Sequence, residues 1–210
     1  MATLAPTVAA ADKSAPLIPD WKQSHLQEAD PAIASVYILA VCARNHQRAE
    51  AEAFLASRPG STEEAALKAT LMPSGETDCP IRPGTLHVRG TLFVRGAIAE
   101  ALYNGDGIKP RADSPLPLTE TFDSSLASNS TAVGSWVARC AVRRHPAQAH
   151  AVLKYNAGSP GEMRALTALR PVVDCLPAGQ PLTVSRIVMR MLIAEELYRA
   201  SRAFREAFRA

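Results

Sequence analysis

The stretch DCLPAGQPLTVSRIVMRMLIAEELY, residues 174–198, has an earlier counterpart in DCPIRPGTLHVRGTLFVRGAIAEALY, residues 78–103. Both begin with Asp-Cys and reach a glycine, Gly84 or Gly179. Both then enter an apolar run that carries Arg, Ile-Ala-Glu and Leu-Tyr at the same spacing. From Gly84 onward the two copies align without a gap, at an offset of 95 residues. The sequence therefore predicts an internal duplication.

Each copy carries further helical patterns ahead of its final stretch. Pro31 stands at the first position of a predicted helix over 32–43, where its missing N–H costs nothing. Asn45 is predicted to cap the following helix. Long apolar patterns predict the last helix of each copy, over about 86–103 and about 182–208.

Two capping boxes predict another helix in each copy. In Ser61-Thr-Glu-Glu64 the serine oxygen accepts from one orphan amide, and the glutamate reaches back to another. Ser159-Pro-Gly-Glu162 repeats this pattern in the second copy. The repeated signal places the same helix start in both halves of the sequence.

The fold class follows from these helices. Strand patterns are hard to find, aromatic residues make up 5% of the chain, and alanine is abundant, which favours tightly packed helices. We expect an all-α protein, in which a three-to-four-helix unit is duplicated in tandem and packed as two similar bundles around a pseudo-two-fold axis. The expected parts are an extended, largely disordered lead-in over 1–31, repeat 1 over 32–104, a Pro/Gly/Ser linker over 105–131, and repeat 2 over 132–210 with an extended C-terminal helix.

Two cysteines occur at matching places in each copy. Cys42 and Cys79 are 37 residues apart, and Cys140 and Cys175 are 35 apart. We predict one disulfide in each copy, which would stabilise the fold by roughly 3–4 kcal/mol in the chain-entropy model. Four buried thiols are the alternative, because free cysteine packs like a small hydrophobe. The paired recurrence favours the bridges.

A zinc site is a second alternative for the cysteines. Copy one offers Cys42, His46, Cys79 and His87, but copy two has Leu182 where His87 stands. No pair has the close spacing of known structural zinc sites. We therefore predict no metal site and no cofactor.

Arginine and glutamate recur five residues apart in the last helix of each copy, as Arg95 with Glu100 and Arg190 with Glu195. This spacing is about 140° around a helix, so each arginine faces away from its own glutamate. One interpretation is that the four side chains form a polar binding site between the repeats. Alternatively they are structural, with each glutamate or the following tyrosine satisfying a helix end or an arginine of the other copy, and this interpretation is favoured. The tyrosines that follow are expected to expose their hydroxyls: Tyr103 and Tyr198.

The end of the last helix has no counterpart in copy one. It combines arginines with aromatic side chains and suits docking to an acidic partner or, peripherally, to a membrane surface. A solvated charged face is the alternative, because glutamates interrupt the arginines. The candidate partner-binding residues are Arg199, Arg202, Phe204, Arg205 and Phe208.

The composition and the absence of known motifs argue against several classes of function. A net charge of +3 is far below that of most dedicated nucleic-acid binders. No run of 18 apolar residues is present, and neither a G-x-S-x-G motif nor a phosphate-binding glycine loop occurs. We expect no enzyme activity, no nucleic-acid partner and no membrane span.

The N-terminal residues suggest export. Residues 9–11, Ala-Ala-Ala, fit a signal-peptide cleavage pattern, although no basic region precedes them. The pattern Cys…Gly…RGAIAEALY, which ends at Tyr103, is similar to exported bacterial proteins, and the resemblance implies a periplasmic or secreted location. We expect an exported bacterial helical protein that binds or scaffolds a protein partner, such as an accessory subunit of a membrane-associated complex. A small-ligand or metal-binding module with a site between the repeats is the alternative.

Overall fold

The structure, a computed structural model, describes residues 31–72, 91–107, 118–169, 175–176 and 182–207. Within these ranges the chain forms eight α-helices, one short 3-10 turn at Ser124–Leu126 and no strand. The all-α prediction is thus confirmed for this part of the chain. The helices are α1 Pro31–His46, α2 Arg48–Ala56, α3 Thr62–Leu71, α4 Leu92–Gly105, α5 Ser130–Arg144, α6 Pro146–Leu153, α7 Pro160–Ala168 and α8 Arg186–Ala207.

Helices α4 and α8 pack against each other at the centre of the molecule. Helix α1 lies against α4, and α5 lies against α8. Outside them, α2 packs on α3 and α6 packs on α7. We call α1–α4 the first half and α5–α8 the second half. The helix contacts of the first half recur in the second half in the same order.

Serine caps position α3 and α7. The Ser61 hydroxyl accepts from the Glu64 amide at 3.1 Å, as the capping-box pattern predicts. The Glu64 carboxylate reaches past Ser61 and accepts from the amide of Gly60 at 2.7 Å. It does so because the Ser61 amide already donates to the carbonyl of Arg58. The start of α7 repeats the serine and glycine contacts with Ser159, Glu162 and Gly158.

Some predicted helix starts are wrong by a few residues. Asn45 does not cap α2, because α1 continues through His46 and Gln47 is the N-cap residue of α2. Helix α4 begins at Leu92, with Thr91 as its N-cap residue; residue 86, where the predicted helix begins, lies outside the described residues.

The start of α8 also differs from the prediction near residue 182. Residues 182–185 are not helical, and the helix begins at Arg186. The Ser185 hydroxyl accepts from the amide of Val188 at 3.4 Å, which makes Ser185 the cap that sets this boundary.

The two tyrosines at the ends of the central helices are buried, so the prediction that they expose their hydroxyls is wrong. Tyr103 is 0% exposed and its hydroxyl lies 3.1 Å from His150 Nδ1. Tyr198 is 2% exposed, and its hydroxyl has no hydrogen-bond partner among the described residues. Both side chains lie in the core because α4 and α8 are covered by helices on several sides.

A disulfide joins Cys140 of α5 to Cys175, with the two Cα atoms 5.6 Å apart. The predicted bridge in the second half is therefore confirmed. Cys42 is also disulfide-bonded, and its predicted partner Cys79 lies outside the described residues. Both residues of the Cys140–Cys175 bridge are buried, which is typical of a structural cross-link.

The described helices include none that is long and apolar enough to cross a membrane.

The predicted lead-in lies outside the described residues up to Asp30, and so does the middle of the predicted linker, residues 108–117. Helix α5 begins at Ser130, and the Asn129 side chain accepts from the amides of Thr131 and Ala132.

Candidate functional site

The four residues of the predicted inter-repeat site form two ion pairs between α4 and α8. Arg95 Nη2 of α4 lies 2.7 Å from Glu195 Oε1 of α8. In the opposite sense, Arg190 Nη2 of α8 lies 2.6 Å from Glu100 Oε1 of α4. All four residues are buried. Because the five-residue spacing turns each arginine away from its own glutamate, every pair joins one half of the molecule to the other.

Arg190 is held by both halves. Its Nη1 donates to the carbonyl of Val152 at 2.9 Å and to Glu162 Oε1 at 3.2 Å, both in the second half. Its Nε donates to Glu100 Oε2 at 3.0 Å. A second arginine, Arg186, lies 3.2 Å from Glu162 Oε2. We call Arg190, Arg186, Glu100 and Glu162 the Arg190 cluster.

Tyr37 of α1 covers the Arg190 cluster. Its hydroxyl donates to Glu100 Oε2 at 2.9 Å and accepts from Arg190 Nε at 2.8 Å. The ring centre lies 6.0 Å from the guanidinium carbon of Arg190, within range of a cation–π contact. Burial raises the pKa of the Tyr37 phenol, and the negative charge of Glu100 raises it further. The hydroxyl therefore stays protonated and keeps donating to Glu100.

Arg95 has a corresponding set of partners in the first half. Its guanidinium donates to the carbonyls of Phe54 at 2.9 Å and Leu55 at 2.8 Å, and to Glu64 Oε1 at 3.0 Å. Its Nε donates to Glu195 Oε1 at 3.1 Å. The ring centre of Phe54 lies 5.4 Å from the guanidinium carbon. We call Arg95, Glu64, Glu195 and Arg199 the Arg95 cluster.

Arg199 is the second arginine of the Arg95 cluster, and it connects the buried ion pairs to charged side chains at the surface. Its Nη2 lies 2.6 Å from Glu195 Oε1, and its Nη1 lies 3.0 Å from Glu196 Oε1. The Arg199 side chain is 41% exposed. Arg139 of α5 pairs with Glu196 and with Glu120, and so extends the chain of ion pairs. The Arg190 cluster is sealed by Tyr37, whereas the Arg95 cluster is continuous with surface charges.

Each cluster contains two arginines and two glutamates, so its formal charge is balanced. Burial raises the pKa of Glu162, while Arg190, the Gly158 amide and Arg186 act in the opposite direction. Burial acts to lower the pKa of Arg190, but the charge of Glu100, its hydrogen bond to Arg190 and the charges of Tyr37 and Glu162 together outweigh burial, and the pKa is raised. Such paired guanidinium groups stay charged and fix helix positions.

The described residues contain no group of three or more His, Cys, Asp or Glu that could hold a metal ion. In the second half, Cys140 and Cys175 are joined to each other and therefore do not act as thiolate ligands. Of the zinc ligands considered in the first half, Cys79 and His87 lie outside the described residues.

Four of the five predicted partner-binding residues lie on the last turns of α8, where the three arginines pair with acidic side chains of this chain. Arg202 Nε lies 3.1 Å from Glu206 Oε1 and is 45% exposed. Arg205 Nη1 lies 2.7 Å from Asp106 Oδ2, at the end of α4. Phe204 is half-buried, and Phe208 lies outside the described residues.

Sequence reasoning did not assign Glu64, Glu162 or Arg186 to the clusters, and it did not predict that Tyr37 covers one of them. Glu64 and Glu162 were assigned only as capping residues, although a glutamate repeated at matching positions was a signal that it also serves the core. Tyr37 gave no such signal, because Ser135 occupies the matching place in the second copy.

No family model, no curated protein and no solved structure matches the chain. The interpretation of the two clusters therefore depends on their geometry.

Proposed function

We propose that the chain is a non-catalytic protein of the periplasm or the extracellular space that binds or scaffolds a protein partner. The observation that carries the proposal is the mutual pairing of Arg95, Glu100, Arg190 and Glu195 between the halves. These four side chains are the strongest candidates for a polar binding or catalytic site in the sequence, and they pair with one another. We therefore place the function on the outer surfaces of the helices.

We also propose that the two halves arose by tandem duplication and pack around a pseudo-two-fold axis. Arg95 donates to the carbonyl of Phe54, and Arg190 donates to that of Val152, each at 2.9 Å. Phe54 and Val152 occupy matching positions, as do the capping glutamates that each arginine contacts. The order of helix contacts is the same in both halves. These correspondences support a common origin of the halves.

An oxidising compartment is supported by the cysteines. The Cys140–Cys175 bridge is buried, and Cys42 is bridged as well. Structural disulfides of this kind persist outside the reducing cytosol.

The end of α8 is the surface we assign to partner binding. Helix α4 ends at Gly105, but α8 continues to Ala207, seven residues beyond the position that matches Gly105 at the 95-residue offset. Arg202 is exposed there, and its pair with Glu206 is the kind of surface pair that contributes about 0–1 kcal/mol. A partner carboxylate can replace Glu206 at little cost. An acidic, partly apolar protein surface therefore suits this helix end, including that of a membrane-associated complex.

Quantitative cross-linking in extracts of the source cell envelope tests the proposal. Arg202→Glu is compared with wild type and with Arg164→Glu, a matched charge reversal at an exposed site on α7. We expect one protein to be captured by wild type and by Arg164→Glu, and at least tenfold less, about 1.4 kcal/mol in affinity, by Arg202→Glu. Equal capture by all three proteins would contradict the assignment.

A small-ligand site between the halves is the competing function. It has less support, because the polar groups at that place bond to one another. Native mass spectrometry of protein from its own cell tests it: a retained small molecule that is lost in Glu195→Gln would favour the ligand site.

A further inference from the structure

Helix α1 carries an apolar stripe on its outer face. Ile38 is 46% exposed and Val41 is 44% exposed, one turn apart. Ala34 lies one turn before them and is also exposed. Ile38 and Val41 are two of the four large apolar side chains that are exposed in the described part of the chain. We call Ala34, Ile38 and Val41 the α1 stripe.

The corresponding face of α5 is covered. Trp136 occupies the position that matches Ile38, at the same separation as Cys140 from Cys42. Trp136 is half-buried, and its ring centre lies 5.9 Å from that of Phe122. Phe122 and Leu118 belong to the segment that precedes α5, and both pack against the core. The chain ahead of α5 thus folds back over the outer face of that helix.

The residues ahead of α1 carry the same order of apolar side chains as the residues ahead of α5. Each segment has an aliphatic residue, then an aromatic residue, then a leucine and finally a helix-capping residue. The spacings differ by one residue at each step. The two series are Ile18, Trp21, Leu26 and Asp30 before α1, and Leu118, Phe122, Leu126 and Asn129 before α5.

We propose that residues 17–26 of this chain dock on the α1 stripe, with Trp21 against Ile38 and Val41 in the way that Phe122 lies against Trp136. Only residues 27–30 separate the segment from the start of α1, so the stripe on that helix is within its reach. Covering two exposed branched side chains with an indole removes apolar surface from water and stabilises the contact.

Tryptophan fluorescence of the full-length, oxidised protein tests this docking. The chain has two tryptophans, so Trp136→Phe leaves Trp21 as the only emitter. We expect blue-shifted emission and weak quenching by acrylamide. Adding Ile38→Glu should shift the emission to longer wavelength and raise the quenching constant severalfold. The matched control is Leu126→Glu, at an equally exposed leucine of the second half, which should change neither quantity.

A second measurement keeps the test valid if Trp136→Phe perturbs the second half. The difference between the emission spectra of wild type and Trp21→Phe reports Trp21 with Trp136 in place. Water-exposed emission from Trp21 in both measurements would overturn the proposal. Protection of Trp21 that disappears on dilution, together with a dimer in light scattering, would also overturn it, because a second copy would then cover the stripe.

Discussion

Gly96 of α4 lies directly against Met191 of α8. A Cβ atom built on Gly96 would lie 2.6 Å from the Cα atom of Met191 and 2.6 Å from its sulfur atom. The two residues occupy matching positions at the 95-residue offset. Residues related by a two-fold axis meet each other only at the axis, so the proposed axis passes between them. The absence of a side chain at Gly96 lets the central helices approach closely.

Gly96→Ala should lower the free energy of unfolding by about 2–3 kcal/mol, because the new methyl group meets the Met191 backbone and overpacks the core. Urea denaturation measures the loss. Gly134→Ala in α5 is the control: its methyl group would meet side-chain ends of Val184 and Leu192, which can move. We expect a loss of about 1 kcal/mol or less there, since alanine also favours the helix by about that amount. Equal losses at both glycines would contradict the close central contact.

Removing the second-half disulfide with Cys140→Ala/Cys175→Ala should lower the free energy of unfolding by about 3–4 kcal/mol, because the 35-residue loop is no longer closed in the unfolded chain. Equilibrium unfolding under oxidising conditions measures this loss. The matched variant, Cys42→Ala/Cys79→Ala, removes the predicted first-half bridge, whose cysteines are 37 residues apart, and should lose a similar amount. A loss below about 1 kcal/mol in both variants would argue against bridges that stabilise the halves.

Tyr37→Phe should make the protein less sensitive to alkali. Burial and Glu100 raise the folded-state pKa of Tyr37 above its ordinary value of 10.0. The tyrosine therefore contributes stability that is fully present below pH 10 and is lost as the pH rises above it. At neutral pH the variant loses about 1.5–3 kcal/mol, the range for hydrogen bonds to charged groups. Above pH 10 this deficit should shrink by about 1.4 kcal/mol per pH unit. If the difference in unfolding free energy between wild type and Tyr37→Phe stayed constant from about pH 9 to about pH 11, this would contradict the burial of the phenol.

The N-cap serines of α3 and α7 should contribute equally to the free energy of unfolding. Ser61→Ala and Ser159→Ala each leave one amide of the first helical turn without its acceptor, so each should cost about 1 kcal/mol. Thermal or urea unfolding measures both. Ser130→Ala, at an exposed position in the first turn of α5, should stay within about 0.5 kcal/mol of wild type. Unequal losses at the two caps would show that the halves do not use them alike.

The sequence was sufficient for the helical class, the capping serines and the Cys140–Cys175 bridge, because each has a local or repeated signal. Periodicity alone placed the start of α8 too early. The apolar pattern continues through Leu182 and Val184, whereas the Ser185 cap sets the boundary. The buried tyrosines were missed for a related reason: the burial of Tyr103 depends on which helices cover α4, and no local pattern reports this.

The four residues of the predicted inter-repeat site could be identified from the sequence, but their pairing could not. Spacing showed that Arg95 and Glu100 face different ways, so each needed a partner on another helix. The identity of that partner depends on how α4 and α8 cross, which is a tertiary property. Tyr37 had no repeated counterpart, and its role in sealing the Arg190 cluster became visible only in three dimensions.

The most direct measurement of the central claim is a set of double-mutant cycles in urea on the oxidised protein, built from Arg95→Met, Glu195→Gln, Arg190→Met and Glu100→Gln. Ion pairs that join the halves predict coupling free energies of about 1–3 kcal/mol for Arg95 with Glu195 and for Arg190 with Glu100. The pairs on the same helix, Arg95 with Glu100 and Arg190 with Glu195, should couple by less than about 0.5 kcal/mol. Additive losses in the cross-helix pairs, or equal coupling in all four cycles, would contradict the claim that reciprocal buried ion pairs hold the two halves together.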